Sequence, residues 1–184
     1  MSHATEAIQR TATAQTIIET PLGPVLLVRT DEGLAGAWFE GQKHHPGPFD
    51  APHVDDDPLL VRAATQLRAY FDGTAATFDV PLDLQGSAFQ RNVWTALLAI
   101  DSGATRSYGD IARAIGAPQA VRAVGSAVGR NPVSVIVPCH RVVGSSGALT
   151  GYAAGLDRKT ALLRLEAGRR HVQLAAGQTA LELH

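Results

Sequence analysis

The chain has 184 residues, 45% of them hydrophobic and 18% charged, with a net charge of -1, a balance that fits a soluble globular protein with a core in one domain or two small ones. No stretch approaches the roughly 20 apolar residues of a membrane span and the N-terminus lacks a signal-peptide pattern, so a cytoplasmic location is expected. Its one cysteine excludes an internal disulfide framework and any multi-cysteine zinc site.

The near-zero net charge hides a division. Residues 1 to 86 hold 5 Lys+Arg against 12 Asp+Glu, net -7, and residues 87 to 184 hold 11 against 5, net +6. A basic second half suits an anionic partner such as nucleic acid.

Residues 1 to 12 are small and polar and are expected to fray. Thr16 to Glu19, Val25 to Thr30 and Leu34 to Phe39 are rich in β-formers and separated by Pro21-Leu22-Gly23-Pro24 and Asp31-Glu32-Gly33. These turns predict a small antiparallel sheet. From Gly41 to Asp57 the composition turns to His, Pro, Gly and Asp without periodicity, the mark of a surface loop. His44, His45, His53 and Asp55 in it match no metal-ligand spacing. Asp57-Pro58 starts a helix whose stripe is Leu60, Ala64, Leu67 and Phe71, with Gly73 to end it. Phe78 to Leu84 reads as a connecting strand or linker.

In the second half, Ser87 and Gln90 have capping-box spacing ahead of the stripe Phe89, Val93, Trp94, Leu97 and Leu98. Ser107-Tyr108-Gly109-Asp110 opens a short helix carrying Ile111, Ala112 and Ile115. A second runs from about Gln119 to Val128, and the two form a helix-turn-helix pattern. Val121, Val124 and Val128 recur at core spacing on it, while Arg122, Gly125, Ser126 and Gly129 form an adjoining face. A smooth face with one arginine can approach a DNA backbone closely and send the arginine inside. The same face would also serve a close helix-helix contact.

Val135 to Val143 reads as an apolar strand that carries Cys139, with Pro138 removing a backbone donor just before it. Neighbours on a strand point to opposite faces, so Cys139 and His140 can cooperate only if the backbone turns at Pro138 or a water relays the proton. The thiolate is the nucleophile, and an adjacent base is the remedy for an un-ionised thiol. A buried, inert cysteine is the plainer alternative. After loops at 144–147 and 151–155, Leu156 to about Arg170 is helical. Lys159, Leu162, Leu163 and Glu166 share one face of it, and a carboxylate there can turn inward to orient a histidine. Residues 171–184 are expected to be a flexible tail.

Pro138-Cys139-His140-Arg141-Val142, Arg130-Asn131-Pro132, Ser107-Tyr108, Arg122-Ala123-Val124-Gly125 and Leu162-Leu163-Arg164-Leu165-Glu166 together resemble the O6-alkylguanine-DNA alkyltransferase family over about residues 87 to 167. The resemblance implies an α/β N-terminal domain over 1–84, ribonuclease-like, with a small antiparallel sheet plus helix. A mainly α C-terminal domain over 85–170 follows, carrying a helix-turn-helix.

It also implies direct-reversal DNA repair, a suicidal methyltransferase in which Cys139 takes an alkyl group from the O6 of guanine, or the O4 of thymine, after the nucleotide flips out. His140 would take the thiol proton through a water, Glu166 would hold the histidine, and Asn131 would brace the turn. Tyr108 would donate to the base, with Lys159 nearby. Arg122, Ala123, Gly125 and Ser126 would meet DNA, and Val128, Val142, Tyr152, Ala153 and Ala154 would line the base pocket. Ala154 stands where the family often has glycine, so bulky O6 groups should fit less well.

The expected partner is double-stranded DNA bearing the lesion, with no membrane partner and no cofactor. The structural zinc of some relatives should be absent, because its cysteines are. The protein is expected to act as a monomer, with cooperative assembly on DNA left open. Two rival readings remain: a binding module that holds alkylated lesions without repairing them, and a cysteine hydrolase using Cys139, His140 and Glu166.

Overall fold

A computed structural model describes the backbone of residues 3–181 and the side chains of residues 4–169. Its first element is a helix, α1 (His3–Thr11), where fraying was expected. The spacing of Ala4 and Ile8 puts both on one face, and both are buried, Ile8 completely. Tertiary burial of that one face decides the outcome for a segment too short to hold a helix alone.

Strands β1 (Ala14–Ile18), β2 (Val25–Arg29) and β3 (Leu34–Phe39) form an antiparallel sheet in the order β1-β2-β3. The apolar run of β2 is buried on both faces. Val25 and Leu27 face the main core, whereas Leu26 and Val28 join Ile8, Ala35, Trp38 and Phe49 in a second cluster. Helix α2 (Pro58–Phe71) packs on the main-core face, and its cap is the one the sequence predicts: Asp57 accepts from the backbone N–H groups of Leu59 and Leu60. The buried face of α2 includes Tyr70, fully enclosed, while Phe71 of the expected stripe is only partly covered.

Residues 78–84 are extended and touch the sheet through a bridge between Leu34 and Leu82. Helix α3 (Ala88–Leu98) carries the predicted Ser87–Gln90 capping box and buries Val93, Trp94 and Leu97; Leu98 is exposed instead. The Trp94 indole donates to the Ala127 carbonyl at 2.9 Å. That bond fixes α3 against the pair α4 (Tyr108–Ala114) and α5 (Val121–Gly129). The second helix of the pair starts at Val121 rather than Gln119, and Val121 is exposed, so Val124, Ala127 and Val128 form its core edge.

The largest departure is at 133–143. The expected strand is absent: residues 134–136 turn, and only Val142–Val143 (β5) pairs, in parallel with β4 (Arg106–Ser107). Val133 bridges Ala37 on β3, with Ala37 N–H donating to Pro132 O and Ser134 N–H to Ala37 O, both at 2.9 Å. Val135 adopts φ +71°, a costly conformation for a β-branched residue. This run is apolar because it is enclosed, and short apolar runs do not distinguish a strand from a buried turn.

Helix α6 (Leu156–Leu181) extends past the end expected near Arg170. The side chains of the tail expected at 171–184 lie outside the described residues. Among the described residues no helix is long and apolar enough to cross a membrane.

Because Ile8 is the fully enclosed anchor of α1, Ile8→Ala is expected to lower unfolding stability by about 2–4 kcal/mol. Urea denaturation of the two proteins checks this.

Candidate active site

Cys139 begins a one-turn 3-10 helix, Cys139–Arg141, directly after Pro138. The backbone therefore turns where the proline predicts, and Cys139 and His140 leave it in different directions. Asn131 holds the turn: its amide donates to Val137 O at 2.8 Å and to Cys139 Sγ at 3.0 Å, and its Oδ1 accepts from Val133 N–H at 2.9 Å.

The thiol is 5% exposed yet borders a cavity of about 390 Å³. Tyr108 from α4, Val128 and the small residues Gly125, Ser126 and Gly129 from α5, and Gly151, Tyr152 and Ala153 form its walls. A Cβ on Gly125 would sit 3.8 Å from the Tyr108 ring, in ordinary contact, so Gly125 and Tyr108 face each other across the hollow.

Behind the thiol lies a buried polar cluster. His140, fully enclosed, sets Nε2 2.8 Å from Glu166 Oε1. The same carboxylate accepts from Arg141 Nη2 at 2.8 Å and Nε at 3.0 Å, from the Tyr70 hydroxyl at 2.7 Å and from Gly103 N–H at 3.2 Å. Burial alone would raise the Glu166 pKa, but hydrogen bonds from His140 and Arg141 and their charges prevail and hold it far below the carboxylate range.

An ionised carboxylate only accepts, so His140 must donate through Nε2–H and keep its lone pair on Nδ1. That atom is buried and has no partner among the described residues. Burial, opposed by Glu166, lowers the His140 pKa, so the ring is neutral near pH 7 and able to take a proton.

Burial pushes the Cys139 thiol up, against the Asn131 hydrogen bond and the Lys159 charge. The resting sulfur is protonated. Lys159 is fully enclosed and gives its ammonium protons to the carbonyls of Val142 at 2.6 Å, Thr150 at 2.9 Å and Gly151 at 3.2 Å. It braces the loop opposite the thiol and does not line the cavity. Of the expected base-pocket residues, Val128, Tyr152 and Ala153 line the cavity, whereas Val142, which pairs with Arg106, and Ala154 are buried outside its lining. A size limit set directly by Ala154 is therefore not supported. The Tyr108 hydroxyl donates to Thr150 O at 3.3 Å. The buried Tyr152 hydroxyl faces the Cys139 sulfur and favours its anion. Arg122, Ala123 and Ser126 are exposed on α5, and of these Ser126 lines the cavity.

The comparisons agree with this geometry. The profile described as 6-O-methylguanine DNA methyltransferase, DNA binding domain, matches residues 88–168, and the companion ribonuclease-like domain matches 14–84. The chain belongs to this family. A methylated-DNA--protein-cysteine methyltransferase of Mycobacterium tuberculosis is 49% identical over 85% of the chain and 94% of its own length. One of Methanosarcina acetivorans is 50% identical over 82% and 96%. The structure of Mycobacterium tuberculosis OGT in complex with DNA is 48% identical, with a TM-score of 0.78, over 85% of this chain and 94% of that one.

Several features of the site were not read from the sequence. Lys43 and His44, in the loop first taken as solvated, line the cavity, pinned by Lys43 N–H donating to Ala153 O at 2.8 Å. An aperiodic loop carries no signal of where it docks. Arg130 at the cavity and Tyr70 and Arg141 on Glu166 were also not assigned. Arg141 sits in the quoted motif, and two residues past the cysteine was the only available hint.

The folded pKa values of Glu166 and His140 are both lowered, so in each case the unfolded chain binds protons more readily and stability falls as pH falls. For His140 the loss begins below about pH 6.5, and for Glu166 it begins below about pH 4.5 and continues toward its depressed folded value. Glu166→Gln should flatten the lower part of this dependence, as read by urea denaturation from pH 3 to pH 7.

Proposed function

We propose that the protein repairs alkylated DNA by moving an alkyl group, typically methyl, from the O6 of guanine to Cys139, once per molecule, with O4-alkylthymine as a lesser substrate. The observation that carries this reading is a buried thiol opening on a base-sized hollow beside α5, backed by a histidine whose free Nδ1 and ionised partner suit it to proton removal.

An alkyl carbon inside stacked DNA is out of reach of such a thiol, so the nucleotide is extruded into the cavity, at a cost of a few kcal/mol. Arg122, exposed on α5, fills the gap left in the stack, and the backbone of Gly125 and Ser126 lies close to DNA. The basic half of the chain adds phosphate contacts. This is a reading of double-stranded DNA as partner, with one protein molecule per lesion.

In the reaction the Cys139 proton passes through a water to His140 Nδ1, while Nε2–H stays on Glu166. The Asn131 amide and the Lys159 charge favour the sulfur anion once it forms. The thiolate attacks the alkyl carbon, the S–C bond forms as the C–O6 bond breaks, and the electron pair stays with the base. Tyr108, whose hydroxyl pKa burial raises, donates a hydrogen bond to that oxygen; the guanine anion takes its ring proton from water, and His140 gives up to water the proton it accepted. The product is a thioether. The sequence has no second cysteine to displace it, so the protein is consumed.

Incubation with a duplex carrying one O6-methylguanine should add one methyl mass to Cys139, stoichiometrically and without turnover. Tight binding with no mass change would instead identify a lesion-holding module, and repeated turnover a hydrolase. Arg122→Ala is expected to slow repair of duplex DNA about tenfold or more, the equivalent of ~1.4 kcal/mol, with little change in reaction with free O6-benzylguanine. Single-turnover kinetics on the two substrates check this, and equal losses would assign Arg122 a structural role.

A further inference from the structure

We propose that Tyr70 is a positioning residue for alkyl transfer: its phenol, delivered by α2 from the N-terminal half, shares the Glu166 carboxylate with His140 and so sets how strongly the imidazole holds a proton. The inference rests on the proposed reaction and extends it to the acidic half.

Three side chains converge on Glu166 Oε1: the Tyr70 hydroxyl at 2.7 Å, His140 Nε2 at 2.8 Å and Arg141 Nη2 at 2.8 Å. The second oxygen receives Arg141 Nε at 3.0 Å and Gly103 N–H at 3.2 Å. Donors on one oxygen compete for its charge, and each weakens the others. Tyr70 is fully enclosed, 96 residues from Glu166 in sequence, and its hydrogen bond to Glu166 couples α2 directly to the histidine's partner. Burial, then the Glu166 charge, raises the phenol pKa, so it remains a donor at every working pH.

Its ring is fixed by Phe71 and Phe78, each with centroids 5.4 Å away, and by the Arg169 guanidinium 4.4 Å above it. The charged and titratable groups around the relay are Arg141 on the active-site turn, Lys159, Glu166 and Arg169 on α6, Tyr152 before it, Tyr70 on α2, and Cys139 itself. Of the side chains besides His140 that donate to Glu166, Tyr70 is neutral and Arg141 is the cation. Removing its hydroxyl returns charge to Oε1, strengthens the bond from His140 and stabilises the imidazolium.

The test follows His140 by 15N NMR and the reaction by the rate with free O6-benzylguanine, which needs no DNA. In Tyr70→Phe the His140 titration and the acid limb of the rate should both move up by about half to one pH unit. Site-specific 3-fluorotyrosine at position 70 keeps the shape and donates more strongly, so it should move both down. It also provides the test should Tyr70→Phe not fold. Phe78→Leu, which loosens the ring's packing, should lower the melting temperature and leave both curves in place. Identical titration in the parent and the position-70 variants, or a histidine that titrates in none of them, overturns the proposal. A parent protein that gains no alkyl mass instead overturns the reaction itself.

Discussion

The Glu166 carboxylate is the contact on which the site's arrangement depends. Burying it costs several kcal/mol unless it is fully paired, and here Arg141 grips both of its oxygens while Tyr70, His140 and Gly103 complete the shell. Those partners come from α2, the loop after α3 and the active-site turn, and Glu166 itself from α6. One anion thus ties the N-terminal half to the C-terminal helix and fixes the tautomer of the histidine between them. A buried pair of this kind is weak evidence for net stability; its evident product is orientation.

The same enclosure governs the sulfur. Burial keeps Cys139 protonated at rest, which protects the one cysteine from oxidants. The groups that favour its anion, Asn131 and Lys159, are already in place. The site therefore waits on removal of a proton rather than on rearrangement, and the neutral, half-satisfied His140 beside it is suited to that step. Small residues on α5 complete the design by leaving room where most helices would present side chains.

Much of this was legible in the chain. Asp57-Pro58 and Ser87–Gln90 announced their helices because caps are local chemistry, and alternation of β-formers with Gly and Pro turns announced the sheet. Cys139, His140, Asn131 and Glu166 were identified by motif, and the structure brings these four together. Contacts between distant segments were not legible. Lys43 and His44 reach the cavity from a loop with no periodicity. Tyr70 was hidden because a single stripe of helix positions does not show the whole buried face.

The sequence by itself determined the local events: where helices start, which face of α5 is smooth, where Pro138 interrupts the backbone, and which half carries the positive charge. These depend on side chains a few residues apart. Only the tertiary structure decided that 134–136 is an enclosed turn rather than part of a strand, that 3–11 is a helix, and that a tyrosine from the first half closes on Glu166. The physical reason is that burial is a property of the assembled chain: the same apolar run or polar helix face has several stable uses, and only the neighbours it meets select one.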